Sequence, residues 1–255
     1  VILRAAILAT VFLAGAALMS LEMAGFRLIT PEFGSDIEVW GSIISVFLGG
    51  MALGAIIGGR LADRWPSLTL LGLILLVAGA VTLLMPLVAQ PIMDWAYPGQ
   101  GAPLPMEWGG GGSITTYQAP SLRWPALLAG TLLFGLPSIL LGMISPYSAR
   151  LFVHELGHMG AGVGEVYGVS TIGSIIGTLG TTFYLITWMG TTWLLLTNGL
   201  VLAGLAVALL AGGQIRGESI RAAWRGRGRP LLPSGQPRPA CRSGRPEVLS
   251  TGGKS

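Results

Sequence analysis

Charge is scarce in this chain: only 10% of its 255 residues are Asp, Glu, Lys or Arg. A soluble domain uses about a quarter of its residues to keep its surface charged, so an ordinary soluble fold is excluded. Cysteine is nearly absent. The single Cys241 allows no internal disulfide and leaves no thiolate set for a metal. What is abundant is apolar: 52% hydrophobic residues and a mean hydropathy of +0.70, gathered into long blocks as in a chain solvated by lipid. Forty glycines are an excess for soluble helices, but small residues let membrane helices approach closely.

Six blocks are long enough to cross a hydrocarbon core of ~30 Å, which takes ~20 helical residues. They predict an all-α polytopic membrane domain over residues 1–211, with helices near Ile2–Leu28, Trp40–Ile57, Leu68–Ala89, Trp124–Ile144, Val166–Thr187 and Thr192–Ala211. The first block runs past the length of a signal-peptide core and reaches Glu22 and Arg27 without a small-residue cleavage site, so it reads as a retained helix. Basic residues orient the bundle. With the N-terminus in the cytoplasm, all fifteen Lys and Arg except Arg27 and Arg123 fall on the cytoplasmic side, as the positive-inside rule requires. The expected location is the cell (inner) membrane, multi-pass, with both termini cytoplasmic.

The longest external segment, residues 90–123, is rich in Pro and Gly. Its Gly109–Gly112 run has no preceding strand and no following Lys-Ser/Thr, so it reads as a flexible loop rather than a phosphate cradle. From Gly212 to Ser255 the composition turns basic and Pro/Gly-rich. This tail is expected to be disordered and drawn to anionic lipid. A single aromatic residue, Trp224, stands among its arginines, too little for a stacking pattern on bases, so no nucleic-acid partner is expected.

Within the helices, Gly50, Gly54 and Gly58 recur every four residues and share one face, as do Gly173 and Gly177. Such stripes predict close helix packing, or faces that line a substrate path. Pro137 predicts a kink in the fourth helix. The segment Gly59-Arg60-Leu61-Ala62-Asp63-Arg64 reads as a tight charged link, with Gly59, Asp63 and Arg64 as its defining residues. It resembles the link between helices 2 and 3 of major facilitator transporters.

A longer resemblance covers residues 15–190. Glu22-x-x-x-x-Arg27, Pro31-x-Phe33-Gly34-Ser35, Trp40, the glycine-rich second helix and Gly59–Arg64 come first in order. Ser145-Pro146 with Arg150-Leu151 follows, and then Gly164-x-x-Tyr167-Gly168-x-Ser170-Thr171-x-Gly173-Ser174-x-x-Gly177-Thr178. Together these resemble the membrane half of fused transporter/spermidine-synthase proteins. The resemblance implies a half-major-facilitator-like bundle. In that family a Rossmann-like aminopropyltransferase domain follows the membrane half. Residues 212–255 carry none of its alternating strands and helices, so no synthase activity is implied and no cofactor is expected.

Two constellations invite chemistry. His154-Glu155-Leu156-Gly157-His158 fits H-E-x-x-H, in which two histidines on one helical face hold zinc beside a general base. No Asp follows to complete a membrane-protease site, so an incidental polar loop is the competing reading. Glu22 and Arg27 are charges within an apolar block, which are functional hypotheses by default. They are read as cation-handling residues or as a boundary ion pair, with Glu165 as a further gate candidate or a solvated helix-start carboxylate.

The leading expectation is a non-enzymatic membrane unit that handles a cationic metabolite such as a polyamine, as a homodimer or within a larger membrane complex. The alternatives are an anchor for a separate soluble synthase, a structural membrane subunit, and a zinc-dependent membrane protease.

Overall fold

Long runs of Leu, Ile, Val and Ala have one low-energy form in lipid, the helix, which satisfies every backbone polar group internally. The computed structural model describes residues 2–96, 123–156 and 159–226. Among them only 34–36 and 65–67 lie outside helices, and no strand occurs. The helices are α1 (Ile2–Phe33), α2 (Ile37–Arg64), α3 (Leu68–Ala96), α4 (Arg123–Leu156), α5 (Met159–Gly180) and α6 (Ile186–Gly226). A π-helical turn, Thr181–Leu185, separates the last two.

Five of the helices outrun their hydropathy blocks, while α5 keeps the expected length but lies seven residues earlier than Val166–Thr187; local chemistry sets the ends. Helix α1 stops where Gly34 adopts a left-handed φ of 83° and its N–H bonds Thr30 O at 2.9 Å, a C-terminal closure suited to glycine. Helix α2 carries Glu38 in its first turn and Arg64 in its last, both favourable to the helix dipole. Gly59–Arg64 is therefore the end of α2 rather than a loop, and the link shrinks to Trp65-Pro66-Ser67. Pro66 cannot continue the hydrogen-bond ladder. Ser67 then caps α3, its Oγ accepting the Thr69 N–H at 3.2 Å.

Five stretches are long and apolar enough to cross a membrane: Leu3–Phe33, Ile37–Arg64, Leu68–Ala96, Trp124–Phe152 and Gly160–Gly212. The fifth has 53 residues, about 80 Å of helix against ~30 Å of hydrocarbon. It is interrupted at Gly190, whose φ of 69° and ψ of 169° are not helical.

Close approaches at glycine fix how the helices pair. Along α1 and α5 the contacts advance together, from Arg4 with Glu165, through Gly173, whose Cβ would overlap Phe12 O, and Gly177, whose Cβ would overlap Ala16 O, to Ser20 with Thr181. The pair therefore runs parallel. Helices α2 and α4 do the same, with Gly50 against Ser138, Gly54 against Ile139 and Gly142, and Gly58 against Met143, whose Cα would lie 2.7 Å from a Cβ on that glycine. Helix α6 runs antiparallel to α3: Gly72 faces Leu210, Gly79 faces Ala203, and Gly199 faces Leu83. The helices α3 and α4, α1 and α4, α4 and α5, and α1 and α2 also pack together. At the centre Phe134 covers Gly25 and stacks on Phe47, with ring centroids 5.5 Å apart.

Helix α6 continues to Gly226, so residues 212–226 are helical rather than disordered. Residues Gly217–Ser255 form a separate unit from Val1–Arg216, and only 217–226 of it are described. The expected loop loses 90–96 to α3, and its residues 97–122 lie outside the description.

Candidate functional site

A cleft of about 190 Å³ opens between α1, α2, α4 and α5. Its walls follow from the glycine contacts, because small residues draw the backbones together and leave hydroxyl side chains at the rim. Gly15 and Leu18 come from α1, Met51 from α2, Ser145 from α4, and Tyr167, Ser170 and Ser174 from α5. The hydroxyls are engaged with one another and with backbone. Ser145 Oγ and Ser170 Oγ lie 3.1 Å apart, and Ser174 Oγ donates to Gly15 O at 3.3 Å. Among the described residues no charged side chain lines the cleft. Glu22 stands one helical turn beyond Leu18 on the same side of α1, half-buried and without a hydrogen-bond or ion-pair partner among the described residues.

The other candidates separate from Glu22. Arg27 is exposed and forms no ion pair with Glu22, so the boundary-pair reading is not realised. Glu165 is not a free gate: its carboxylate accepts two hydrogen bonds of 2.6 Å from Arg4 Nη2, and Arg4 also lies over the Phe152 ring at 5.5 Å. The pair ties the starts of the parallel helices α1 and α5. Gly50, Gly54, Gly58, Gly173 and Gly177 are close-packing positions. Gly59 is not, because nothing lies within 4 Å of a Cβ built there.

At the end of the bundle where α1 begins, Asp63 pairs with Arg150 Nε of α4 at 2.8 Å. One turn earlier on α4, the fully buried Tyr147 donates its hydroxyl to Trp65 O at 2.6 Å or Ser67 O at 3.0 Å, and accepts the Ser67 N–H at 3.0 Å. The α2–α3 link is thus held against the end of α4. A second polar junction lies deep in the bundle. Ser20 Oγ accepts hydrogen bonds from Thr181 Oγ1 at 2.8 Å and from Asn198 Nδ2 at 2.9 Å. It joins α1, the π-helical turn and α6. Sequence reading passed over Tyr147, Ser20, Thr181 and Asn198. A lone Asn in an apolar block is the one signal it offered.

Of the His154-Glu155-x-x-His158 match, the first two residues lie in the last turn of α4, and His158 lies outside the described residues. No group of three metal-ligating side chains occurs among the described residues. Comparison with protein families, with curated proteins and with solved structures returns no match.

Proposed function

We propose that the chain is a six-span unit with the architecture of half a major facilitator, and that two copies build a path for a cationic metabolite of the polyamine class. The observation that carries this reading is the pattern of helix pairing. Exchanging α1 with α4, α2 with α5 and α3 with α6 maps the pattern onto itself. The pair α1·α5 becomes α4·α2, α3·α4 becomes α6·α1, and α3·α6 is unchanged. The exchanged helices run in opposite senses, which is the signature of an inverted-topology repeat. The same device recurs in both halves, with glycines of α2 on α4 and glycines of α5 on α1.

Six spans follow if the chain reverses at Gly190, since α6 runs against α3 while α5 runs with α1. The basic residues then place both termini in the cytoplasm. Transporters of this class place their site between repeats, and the hydroxyl-lined cleft with Glu22 beyond it would form one wall. A half-buried carboxylate without a basic partner suits a cation. In proteoliposomes, the wild-type chain is expected to take up labelled spermidine as a dimer, and Glu22→Gln is expected to remove uptake without changing the elution volume in detergent. A monomer that takes up no polyamine would overturn the reading.

A further inference from the structure

A second cleft, of about 630 Å³, lies at the opposite end of the bundle, where α1 finishes and α2 begins. Among the described residues its one charged lining residue is Arg27, and they give that guanidinium no acidic partner. Apolar walls flank it: Phe26 and Trp40 pack with ring centroids 4.4 Å apart, and Met23 and Ile186 add to them. Thr182 and Thr191 also line the cleft. Their hydroxyls make no hydrogen bond among the described residues, so both are free to donate. The helix restarts at Thr191 after Gly190, which adds the positive end of a helix dipole at the cleft.

The depth of the cleft is informative. Arg4 and Arg27 are separated by about 35 Å along α1 at 1.5 Å per residue, more than the ~30 Å hydrocarbon layer. If Arg4 and Glu165 meet one membrane surface, Arg27 meets the headgroups of the other. Aromatic residues crowd the same level: Tyr184 on the π-helical turn and Trp188 and Trp193 at the start of α6 are 68%, 86% and 65% exposed. Such residues mark the membrane–water boundary. A cation, two free hydroxyl donors and an apolar wall at that boundary match one chemistry, a phosphate joined to acyl chains.

We propose that this cleft binds the headgroup of an anionic phospholipid, with its phosphate on Arg27 and the hydroxyls of Thr182 and Thr191. Its acyl chains lie along the Phe26–Trp40 wall. The site is independent of the polyamine path and does not use Glu22. The test is native mass spectrometry and thermal melting of the whole chain in an uncharged maltoside. The probes are phosphatidylglycerol, phosphatidylcholine and inorganic phosphate.

Phosphatidylglycerol is expected to be retained one per chain and to raise the melting temperature, while phosphatidylcholine does neither. Arg27→Gln is expected to weaken retention about tenfold, as expected for one charge-assisted hydrogen bond, and Arg27→Lys to keep part of it. Arg60→Gln, at the other end of the bundle, is expected to change nothing. Should Arg27→Gln fail to fold, Thr182→Val with Thr191→Val serves in its place and is expected to weaken retention. Equal retention by wild type and a folded Arg27 or threonine variant overturns the site. Saturation by inorganic phosphate alone, with no preference for the lipid, overturns the lipid as its occupant.

Discussion

At Gly177 a single hydrogen atom decides whether two helices meet. The space a methyl group would need is filled by the carbonyl of Ala16, so α5 and α1 pack through backbone. Gly168, on the same helix, has nothing within 4 Å. Gly177→Ala is therefore expected to destabilise the bundle by about 1–3 kcal/mol, the usual cost of overpacking. Gly168→Ala is expected to leave stability within about 0.5 kcal/mol. Thermal melting in detergent separates the two.

Tyr147 and Asp63 invite a similar comparison. Tyr147→Phe leaves part-buried backbone groups of the α2–α3 link without their partner, at ~1–2 kcal/mol. Asp63 and Arg150 have side chains 66% and 46% exposed, and a double-mutant cycle across them should give below ~1 kcal/mol. A larger coupling for the ion pair than the cost of Tyr147→Phe would reverse the ranking. The glycine stripes were legible because a spacing of four places residues on one face. Their partners were not, because nothing at Phe12 or Ser138 marks them as facing a glycine. The Ser20–Thr181–Asn198 junction was equally hidden: its members are scattered through three apolar blocks and come together only when the blocks pack.

At the scale of the element, hydropathy found the helices, shortened five of them and placed α5 seven residues too late. It follows the lipid-facing part of a helix, whereas backbone hydrogen bonding continues through polar turns until a breaker intervenes. Gly59–Arg64 illustrates the difference, since glycine and charge read as a loop while the ladder of α2 runs on to Pro66. The break between α5 and α6 was expected at residues 188–191, which takes in Gly190 but not the π-helical turn, and its chemistry was not foreseen. It consists of a π-helical turn at Thr181–Leu185 followed by the non-helical Gly190. The conformation of Gly190 is nearly closed to residues with a Cβ, at a cost on the order of 1–3 kcal/mol. Gly190→Ala is accordingly expected to lower the melting temperature more than Gly204→Ala, whose Cβ meets open space. Equal effects would mean that the reversal does not depend on this backbone geometry.

For the whole molecule, composition and the apolar blocks were enough to read the helical fold of the described residues, with apolar helices long enough for a membrane. The pairing of helices was not legible, because it depends on which small residues face which backbone. That pairing is what supports the proposed inverted repeat, and such a repeat would require six crossings rather than five. The most direct test is thiol labelling of right-side-out vesicles with a membrane-impermeant reagent. Three single-cysteine chains suffice: one with the native Cys241, and two with Cys241→Ser that carry either Trp188→Cys or a cysteine added before Val1. The account predicts that the Trp188→Cys chain labels from outside, while Cys241 and the N-terminal cysteine label only after the membrane is opened. Labelling of Cys241 from outside with the N-terminal cysteine protected would put the termini on opposite sides, and would contradict the six-span repeat.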